Sequence, residues 1–269
     1  MRRRLDAELV RRKLAKSRSH ALELVASGAV RVDGQLVAKP ASQVDGAQAV
    51  TVSPSDLDSY VSRGAYKLSG ALDALAEQAP TIQDAICLDA GASTGGFSDV
   101  LLRRGASLVH AVDVGYGQLA WELRNHPAIR VLERTNVRYL QFGDLEPVPQ
   151  LVVADLSFIS LTTVLPALIA VSGPQAHLLP MVKPQFEVGK QALPSGGVVS
   201  DPAARARAVW RVASAALDLG LGVLGVVASP LPGPSGNWEF FLHLAKSLAG
   251  LTPDQIKEAI TTVTLGEVA

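Results

Sequence analysis

The sequence of 269 residues contains a single cysteine, Cys87, and no clustered histidines. One cysteine excludes an intrachain disulfide, and it excludes a zinc site built from several thiolates. The five histidines are scattered at His20, His110, His126, His177 and His243. Because they do not show the close spacing of metal ligands, we expect no bound metal.

The chain also lacks the usual signs of export or membrane insertion. Its basic start, residues 1–6, is not followed by the apolar run of a secretory signal, so we expect a cytoplasmic protein. Residues 156–182 contain no Asp, Glu, Lys or Arg and are long enough to span a bilayer. They include three prolines and the turn signal Gly173-Pro174, so a buried helix followed by a buried strand is the better interpretation.

The formal net charge is zero, with 25 basic and 25 acidic side chains, which is unusual for a protein that binds nucleic acid. The charge is unevenly distributed along the chain, however. Residues 1–20 contain eight Lys or Arg and two Asp or Glu, a net charge of +6, so the other 249 residues carry −6. This asymmetry predicts a small basic module attached to a mildly acidic body.

Residues 1–52 show the pattern of a small α+β domain. Apolar residues at helical spacing predict one helix near residues 5–10 and a second helix that ends at Gly28. Asp33-Gly34 is a hairpin signal between two short alternating strands, and 49–52 predicts a further strand.

The pattern that begins at Arg4-Leu5-Asp6 and continues through 14–19 and 28–34 resembles the ribosomal-protein-S-four-like (αL) RNA-binding module. The resemblance implies that structured RNA is bound through the two helices. Clustered Lys and Arg side chains bind phosphates, although the charges alone fit a solvated helix face equally well. The candidate RNA contacts are Arg2, Arg4, Lys16 and Arg18.

Residues 53–62 are mostly polar and contain a proline, which predicts a linker, and a second domain covers 63–269. Buried strands and helical stretches alternate in this domain. The predicted strands lie at 85–89, 108–113, 129–132, 151–155, 178–182 and 222–227. The alternation predicts an α/β, Rossmann-like doubly wound sheet, whose ligands bind at the carboxyl ends of strands.

A glycine-rich turn at 88–97 follows the first of these strands and opens a helix. It is not G-x-G-x-x-G, because Ser93 replaces the second glycine, and it lacks the Gly-Lys-Ser/Thr of a P-loop, so dinucleotides and ATP are disfavoured. Asp89 at the strand end suits a ligand with a positive group, such as the sulfonium and amine of S-adenosylmethionine. Asp113 ends the next strand, where it can accept hydrogen bonds from ribose hydroxyls. A turn that only packs strand on helix is the alternative.

Four motifs resemble the TlyA family of S-adenosylmethionine-dependent ribosomal RNA 2′-O-methyltransferases, also described as hemolysins, whose catalytic part is similar to FtsJ/RrmJ-like enzymes. The motifs are residues 88–97, 113–119, 154–160 and 182–187. The resemblance implies a class I methyltransferase fold, S-adenosylmethionine as the cofactor, and cytidines of 16S and 23S ribosomal RNA as the substrate. The family's K-D-K-E catalytic set falls on Lys67, Asp155, Lys183 and Glu239.

The same resemblance implies the other site residues. Those expected around the cofactor are Asp89, Gly91, Ser93, Thr94, Gly95, Gly96, Asp113, Asn136 and Phe158. Asn136 and Phe158 are expected on the adenine side, with a turn residue as the alternative for Asn136. Those expected to hold RNA phosphate near the reacting ribose are Arg63, Arg134 and Arg138, with surface solvation as an equal alternative.

A ribose hydroxyl is a weak nucleophile, and Lys183 is the candidate base for it. A lysine serves as a base only if its pKa falls, through desolvation or through a second cation such as Lys67. Lys183 therefore either removes the proton or stabilises the developing alkoxide. Two other functions stay open at this point: a membrane-active hemolysin, which would need residues 156–182, and an RNA-binding ribosome-assembly factor with an inactive catalytic domain.

Overall fold

The computed structural model describes residues 2–15, 18–26, 28–37, 39–52, 60–189, 193–233 and 235–265. The chain forms two compact units, Met1–Tyr60 and Val61–Ala269. Most of the predicted linker, 53–59, lies outside the described residues, so its boundaries stay a prediction. Lys16, one of the candidate RNA contacts, also lies outside them.

The first unit is a small α+β domain, as the sequence predicts. Its helices are α1 (Leu5–Arg11) and α2 (Arg18–Ala26), and its strands are β1 (Arg2–Arg4), β2 (Val30–Val32), β3 (Gln35–Leu36), β4 (Gln43–Asp45) and β5 (Val50–Val52). β2 lies between β3 and β5 in an antiparallel sheet, and β1 pairs with β4. The β1–β4 pair was not predicted, because three consecutive exposed arginines show no alternation of polar and apolar residues.

Local backbone geometry explains the hairpin and the end of α2. Asp33 and Gly34 have φ values of 50° and 81°, the two positive values that a type I′ turn needs between β2 and β3. Gly28, at φ 73°, stops α2 in the left-handed conformation that glycine adopts readily. Leu5, Leu9 and Leu24 are fully buried in the core, so truncation of one of them to Ala should cost about 2–5 kcal/mol.

The second unit is built on one seven-stranded sheet. Its helices are α3 (Gly64–Leu75), α4 (Gly96–Arg103), α5 (Trp121–Arg124), α6 (Leu161–Ala170), α7 (Pro184–Glu187), α8 (Pro202–Asp218) and α9 (Pro253–Leu265). Its strands are β6 (Ile86–Ala90), β7 (Leu108–Val112), β8 (Ile129–Leu132), β9 (Leu151–Ala154), β10 (His177–Val182), β11 (Gly222–Ala228) and β12 (Phe240–Ala245).

The strand order is β11-β12-β10-β9-β6-β7-β8. Strands β6 to β10 run parallel to one another, whereas β12 is antiparallel to both of its neighbours, β10 and β11. In chain order, β7 and β8 are added on one side of β6, and β9 and the later strands are added on the other side. The crevice outside the ends of β6 and β9 is therefore the topological switch point, where ligands of such sheets bind.

All six predicted strands are confirmed, and β12 is an additional one. Every residue of β12 is buried, and all except His243 are apolar, a pattern that periodicity does not distinguish from a buried helix. Residues 156–182 contain α6 and β10, which confirms the expected helix and strand. Among the described residues, no helix has the length and apolarity to cross a membrane, and no group of three or more His, Cys, Asp or Glu could hold a metal ion.

Candidate active site

Charged side chains gather at one edge of the seven-stranded sheet. Asp89 is the penultimate residue of β6, while Asp113, Asp155 and Lys183 directly follow β7, β9 and β10. Because these four strands are parallel, their carboxyl ends meet at the same edge. Three carboxylates and a lysine therefore surround the switch point, as the sequence predicts.

Glu239 reaches this edge from the opposite direction, because β12 is antiparallel. Phe240, the first residue of β12, pairs with Val182, the last residue of β10. Glu239 and Lys183 therefore occupy neighbouring positions on two adjacent strands. Since β12 was not predicted, only the family resemblance, and no pattern of residues, pointed to Glu239.

Glu239 forms a buried ion pair with Lys67 of α3. Lys67 Nζ lies 2.5 Å from Glu239 Oε2, and the two side chains are 9% and 1% exposed. A Cβ atom on Gly233 would come within 2.7 Å of Glu239 Oε1, so the glycine makes room for the carboxylate. Removal of either partner would leave the other charge buried without compensation, which is strongly destabilising.

Lys183 forms the second ion pair of this edge, with Asp155. Its Nζ lies 2.6 Å from Asp155 Oδ1 and donates a hydrogen bond of 3.0 Å to Ser157 Oγ. An ammonium group has three N–H donors, so these two contacts with described residues leave one donor for a substrate oxygen. The pair is less buried than that of Lys67, because the Asp155 side chain is 24% exposed.

Glu187, which had no predicted role, connects the two loops that carry Asp155 and Lys183. Its Oε1 accepts the backbone N–H of Leu161 at 2.8 Å, and its Oε2 accepts the Ser160 hydroxyl at 2.5 Å. Both donors lie at the start of α6, after the Asp155 loop, whereas Glu187 ends α7, after Lys183. Burial raises the pKa of Glu187. The only signal for this contact was the position of Glu187 in the motif 182–187.

Asp89 is buried and incompletely paired at the centre of the same edge. Its Oδ2 accepts the Ser98 hydroxyl at 2.7 Å, while its Oδ1 has no hydrogen-bond partner among the described residues. Burial, together with the negative charges of Asp155 and Asp113, raises the pKa of Asp89 to about 7. A positively charged group would satisfy the buried oxygen and relieve the repulsion between carboxylates. These residues therefore fit the amine and sulfonium of S-adenosylmethionine.

Asp113 fixes the glycine-rich loop. Its two carboxylate oxygens accept the backbone N–H groups of Ser93 at 2.8 Å and Gly115 at 2.6 Å. Each oxygen keeps further acceptor capacity, so a ribose hydroxyl can still bind there. A Cβ on Gly91, which has φ 89°, would overlap the carbonyl oxygen of Asp155, so this glycine allows the loop to pack against the end of β9.

The rest of the loop is held by neighbours within the unit. A Cβ on Gly95 would come within 2.8 Å of the Leu119 side chain, and one on Gly96 within 2.8 Å of the Ala65 backbone nitrogen. Thr94 accepts the backbone N–H of Ala120 through its carbonyl oxygen, at 3.2 Å. Packing alone thus accounts for Gly95 and Gly96, and their contact with a cofactor stays a prediction.

The two residues expected on the adenine side differ in their contacts. Asn136 Oδ1 accepts the Arg138 backbone N–H at 3.0 Å and caps a short 3-10 turn, which is the turn role left open by the sequence. The side chain of Phe158 is exposed, and its ring centroid lies 5.2 Å from that of Phe186. The Phe186 ring centroid also lies 6.0 Å from Lys183 Nζ, so these contacts place Phe158 in the same group as Lys183. An adenine contact of either residue stays a prediction.

The candidate RNA-binding arginines of this unit are exposed. Arg63 immediately precedes α3, which carries Lys67. Arg134 lies over the ring of Tyr116, 4.4 Å from its centroid, and Arg138 lies 5.8 Å from that of Tyr139. Both tyrosines are exposed, and neither was a predicted site residue.

The described candidate RNA contacts of the first unit are also exposed. Arg2 and Arg4 lie on β1, and Arg18 begins α2. Arg4 and Arg18 both donate hydrogen bonds to the buried carboxylate of Asp6. The structure thus joins two of the predicted contacts through an acidic residue.

Two sequence profiles match the chain: FtsJ-like methyltransferase over residues 60–246 and the S4 domain over residues 3–50. The chain is 57% identical over 241 residues to the 16S/23S rRNA (cytidine-2′-O)-methyltransferase TlyA of Mycobacterium tuberculosis, with 90% of this chain and 89% of that protein covered. It is 33% identical over 243 residues to hemolysin A of Brachyspira hyodysenteriae, with 89% and 98% covered. A solved structure from Streptococcus thermophilus that bears the name hemolysin has a TM-score of 0.74 and 36% identity, with 97% of this chain and 95% of that chain covered.

Proposed function

The chain belongs to the family of FtsJ-like methyltransferases, and from this premise we propose that it methylates the ribose 2′-hydroxyl of cytidines in 16S and 23S ribosomal RNA, with S-adenosylmethionine as methyl donor. The observation that carries the proposal is the Lys183–Asp155 pair, which is 2.6 Å long and lies at the same sheet edge as the incompletely paired Asp89. The activity named for the relative with 57% identity supports the substrate class.

S-Adenosylmethionine, when bound, supplies an activated methyl group. Asp89 would hold its amine through the buried Oδ1, and Asp113 would accept hydrogen bonds from its ribose. Gly91 and Ser93 would line the methionine part, because the hydrogen bond from Ser93 to Asp113 fixes the loop in place.

Lys183 would bind the ribose 2′-oxygen of the RNA through its third N–H donor. Asp155 and Ser157 restrict the direction of the ammonium group, which gives the positioning that accelerates reactions of bound groups. The positive charge would stabilise the negative charge that develops on the oxygen. If Asp155 takes up the ammonium proton, the neutral amine of Lys183 can instead accept the proton of the hydroxyl.

The Lys67–Glu239 pair would support this arrangement from the neighbouring strand. Glu239 is 1% exposed and precedes the residue that pairs with Val182, directly before Lys183. The pair therefore sets the position of the end of β10. We assign it a role in the catalytic group because its two charges lie beside the reacting edge, in a region with little water to screen them.

The first unit would bind the RNA. It matches the S4 domain, and its first 20 residues carry a net charge of +6. Arg2, Arg4 and Arg18 of this unit, together with Arg63, Arg134 and Arg138 of the second, would contact phosphates. A substrate in the ribosome would place the protein in the cytoplasm.

The experiment that tests the proposal is the mapping of ribose methylation after incubation of ribosomal subunits with the protein and S-adenosylmethionine. We expect 2′-O-methylcytidine in ribosomal RNA with the wild type, and its rate of formation should be strongly reduced with Lys183→Ala. Lys246→Ala is the matched control, because Lys246 is a partly buried lysine after β12 at the opposite edge of the sheet. Methylation of a base instead of a ribose, or full activity of Lys183→Ala, would contradict the proposal.

The two alternatives from the sequence lose support. A membrane-active protein would need residues 156–182, but these supply α6 and β10 to the core of the sheet unit. An assembly factor without catalysis would not need two acid–lysine pairs at the switch point. Leakage of liposomes by the purified protein, or binding of subunits without turnover, would restore one or the other.

A further inference from the structure

The acidic residue Asp6 connects two exposed arginines of the first unit. Arg4 donates from Nε to Asp6 Oδ1 at 3.1 Å and from Nη2 to Asp6 Oδ2 at 3.0 Å. Arg18 donates from Nη2 to the same Oδ2 at 3.1 Å. The carboxylate is buried, whereas the arginine side chains are 49% and 65% exposed. Arg4 and Arg18 come from β1 and α2, so one buried group fixes two cations on different elements.

This geometry leaves the arginines able to bind a second anion. A guanidinium group has five N–H donors in a rigid plane, of which Arg4 uses two on Asp6 and Arg18 uses one. The Asp6 carboxylate is itself held by the backbone N–H of Ala7 at 2.8 Å. The hydrogen bond from Arg4 is the largest cause that lowers the pKa of Asp6 to about 2, so this residue stays ionised at neutral pH.

Glu8 forms a different arrangement with its arginines. It pairs with Arg11 and Arg12, but Arg12 also donates to the backbone carbonyls of Gln48 and Gly46. The Arg12 side chain is only 19% exposed. Arg12 therefore connects α1 to the turn before β5. Glu8 also pairs with Arg11 and Arg3, two exposed arginines that are not among the candidate RNA contacts. Glu8 is a buried carboxylate of the same unit and offers a matched comparison for Asp6.

We propose that Asp6 is a positioning residue for RNA recognition, which holds Arg4 and Arg18 as one two-guanidinium site for a phosphate of the RNA backbone. The inference rests on the proposed function, because it assumes that ribosomal RNA is the substrate. Ordering of two long side chains before binding lowers the entropy lost when the phosphate binds. Paired guanidinium groups also match the oxygens of a phosphate.

The direction in which Asp6→Asn changes the affinity for RNA distinguishes a positioning role from long-range electrostatic attraction. Asp6→Asn removes a negative charge near the RNA, so long-range attraction alone predicts tighter binding and a steeper salt dependence. Positioning predicts the reverse. The asparagine amide can accept fewer charge-assisted hydrogen bonds, so Arg4 and Arg18 lose their shared anchor.

The experiment measures binding of the full chain to ribosomal subunits over a range of salt concentrations, together with methylation kinetics. We expect Asp6→Asn to bind about three- to tenfold more weakly, as a partial loss of charge-assisted contacts should. We expect KM for RNA to rise, while kcat and the affinity for S-adenosylmethionine stay unchanged. Glu8→Gln, which removes the same charge, should bind as tightly as the wild type or more tightly.

A background that lacks both arginines protects the test against an effect on folding. In Arg4→Ala/Arg18→Ala, the added Asp6→Asn should cause no further weakening, because the groups that it positions are gone. If Asp6→Asn acts by disturbing the fold, it weakens binding in this background too, and the inference is wrong. It is equally wrong if Asp6→Asn alone binds as tightly as the wild type while Arg4→Ala/Arg18→Ala binds weakly. A wild-type protein that does not bind or methylate subunits would instead overturn the proposed function itself.

Discussion

Asp6 of the first unit and Asp89 of the second are both buried, yet they have opposite proton affinities. The pKa of Asp6 is lowered to about 2, chiefly by its hydrogen bond with Arg4. The pKa of Asp89 is raised to about 7, chiefly by burial, with Asp155 and Asp113 as negative neighbours. Burial therefore does not decide the charge of a carboxyl group by itself. Its neighbours decide whether the carboxyl group pairs with cations of the protein or is left able to pair with a cationic ligand.

The cations of the two units differ in the same way. In the first unit a buried acid holds exposed arginines, which can reach a long polyanion at the surface. In the second unit Lys67 and Lys183 are themselves only 9% and 10% exposed and pair with acids at one edge of the sheet. We infer that exposure separates the cations that bind RNA from the cations that act on a reacting atom.

The largest expected effect comes from substitution of Lys183. If that effect were absent, the contrast between the exposed arginines of the first unit and the buried lysines of the second would not hold. Lys183→Ala should reduce kcat by about 10²- to 10⁴-fold, the usual contribution of a group that transfers or stabilises a proton, with RNA affinity retained. Lys183→Arg keeps the charge but cannot act as a base. Substantial activity of Lys183→Arg would therefore assign charge stabilisation to Lys183, and its inactivity would favour proton removal. Arg18→Ala should show the converse, weaker RNA binding with unchanged kcat.

The second expected effect concerns stability. Glu239→Ala should destabilise the second unit by about 3–5 kcal/mol, because it leaves the Lys67 ammonium buried without a partner. Lys67→Met combined with Glu239→Leu should cost less than Glu239→Ala, since no charge is then buried. Arg18→Ala should cost at most about 1 kcal/mol, because that arginine is exposed. Denaturant unfolding of the full chain, followed by probes in each unit, measures these differences.

The third expected effect is the pH dependence of cofactor binding. A cationic ligand prefers ionised Asp89, so the affinity for S-adenosylmethionine should fall by up to about tenfold per pH unit below pH 7. Asp89→Asn should bind weakly at every pH and lose this dependence. Because its pKa is higher in the folded chain than the usual 3.8, Asp89 favours folding most below about pH 4, and this contribution is lost as the pH rises to about 7. Calorimetry between pH 6 and 8.5 checks the binding.

The smallest expected effect is an absence of change in the first unit. Because the pKa of Asp6 is about 2, the carboxyl group stays ionised at both pH 6 and pH 8. The ratio of RNA affinities between the wild type and Asp6→Asn should therefore be the same at these two pH values. A ratio that grows or shrinks over this range would show that Asp6 titrates, and would remove its contrast with Asp89. The stability contributed by the Asp6 pairs is present above about pH 4 and is lost as the pH falls toward 2.

Local patterns predicted most of the elements but few of the contacts. The hairpin at Asp33-Gly34 and the six buried strands follow from turn chemistry and periodicity, which act over a few residues. β12 was missed, because a short and mostly apolar run has the same pattern in a helix as in a strand. The turn role of Asn136 was weighed in advance, whereas the contact of Phe158 with Phe186 was not expected.

The residue types at the sheet edge predicted its chemistry, since aspartates and a lysine at strand ends suit a cationic cofactor and a weak nucleophile. They did not predict which of these side chains pair with one another. Lys67 and Glu239 are 172 positions apart and meet only because β12 runs antiparallel beside β10. Likewise, the charge of residues 1–20 together with the resemblance to an RNA-binding module predicted an RNA-binding surface, but not that Asp6 would join Arg4 to Arg18. Residue type and spacing are local properties of a chain, whereas the partner of a charge depends on which distant segments the core brings together.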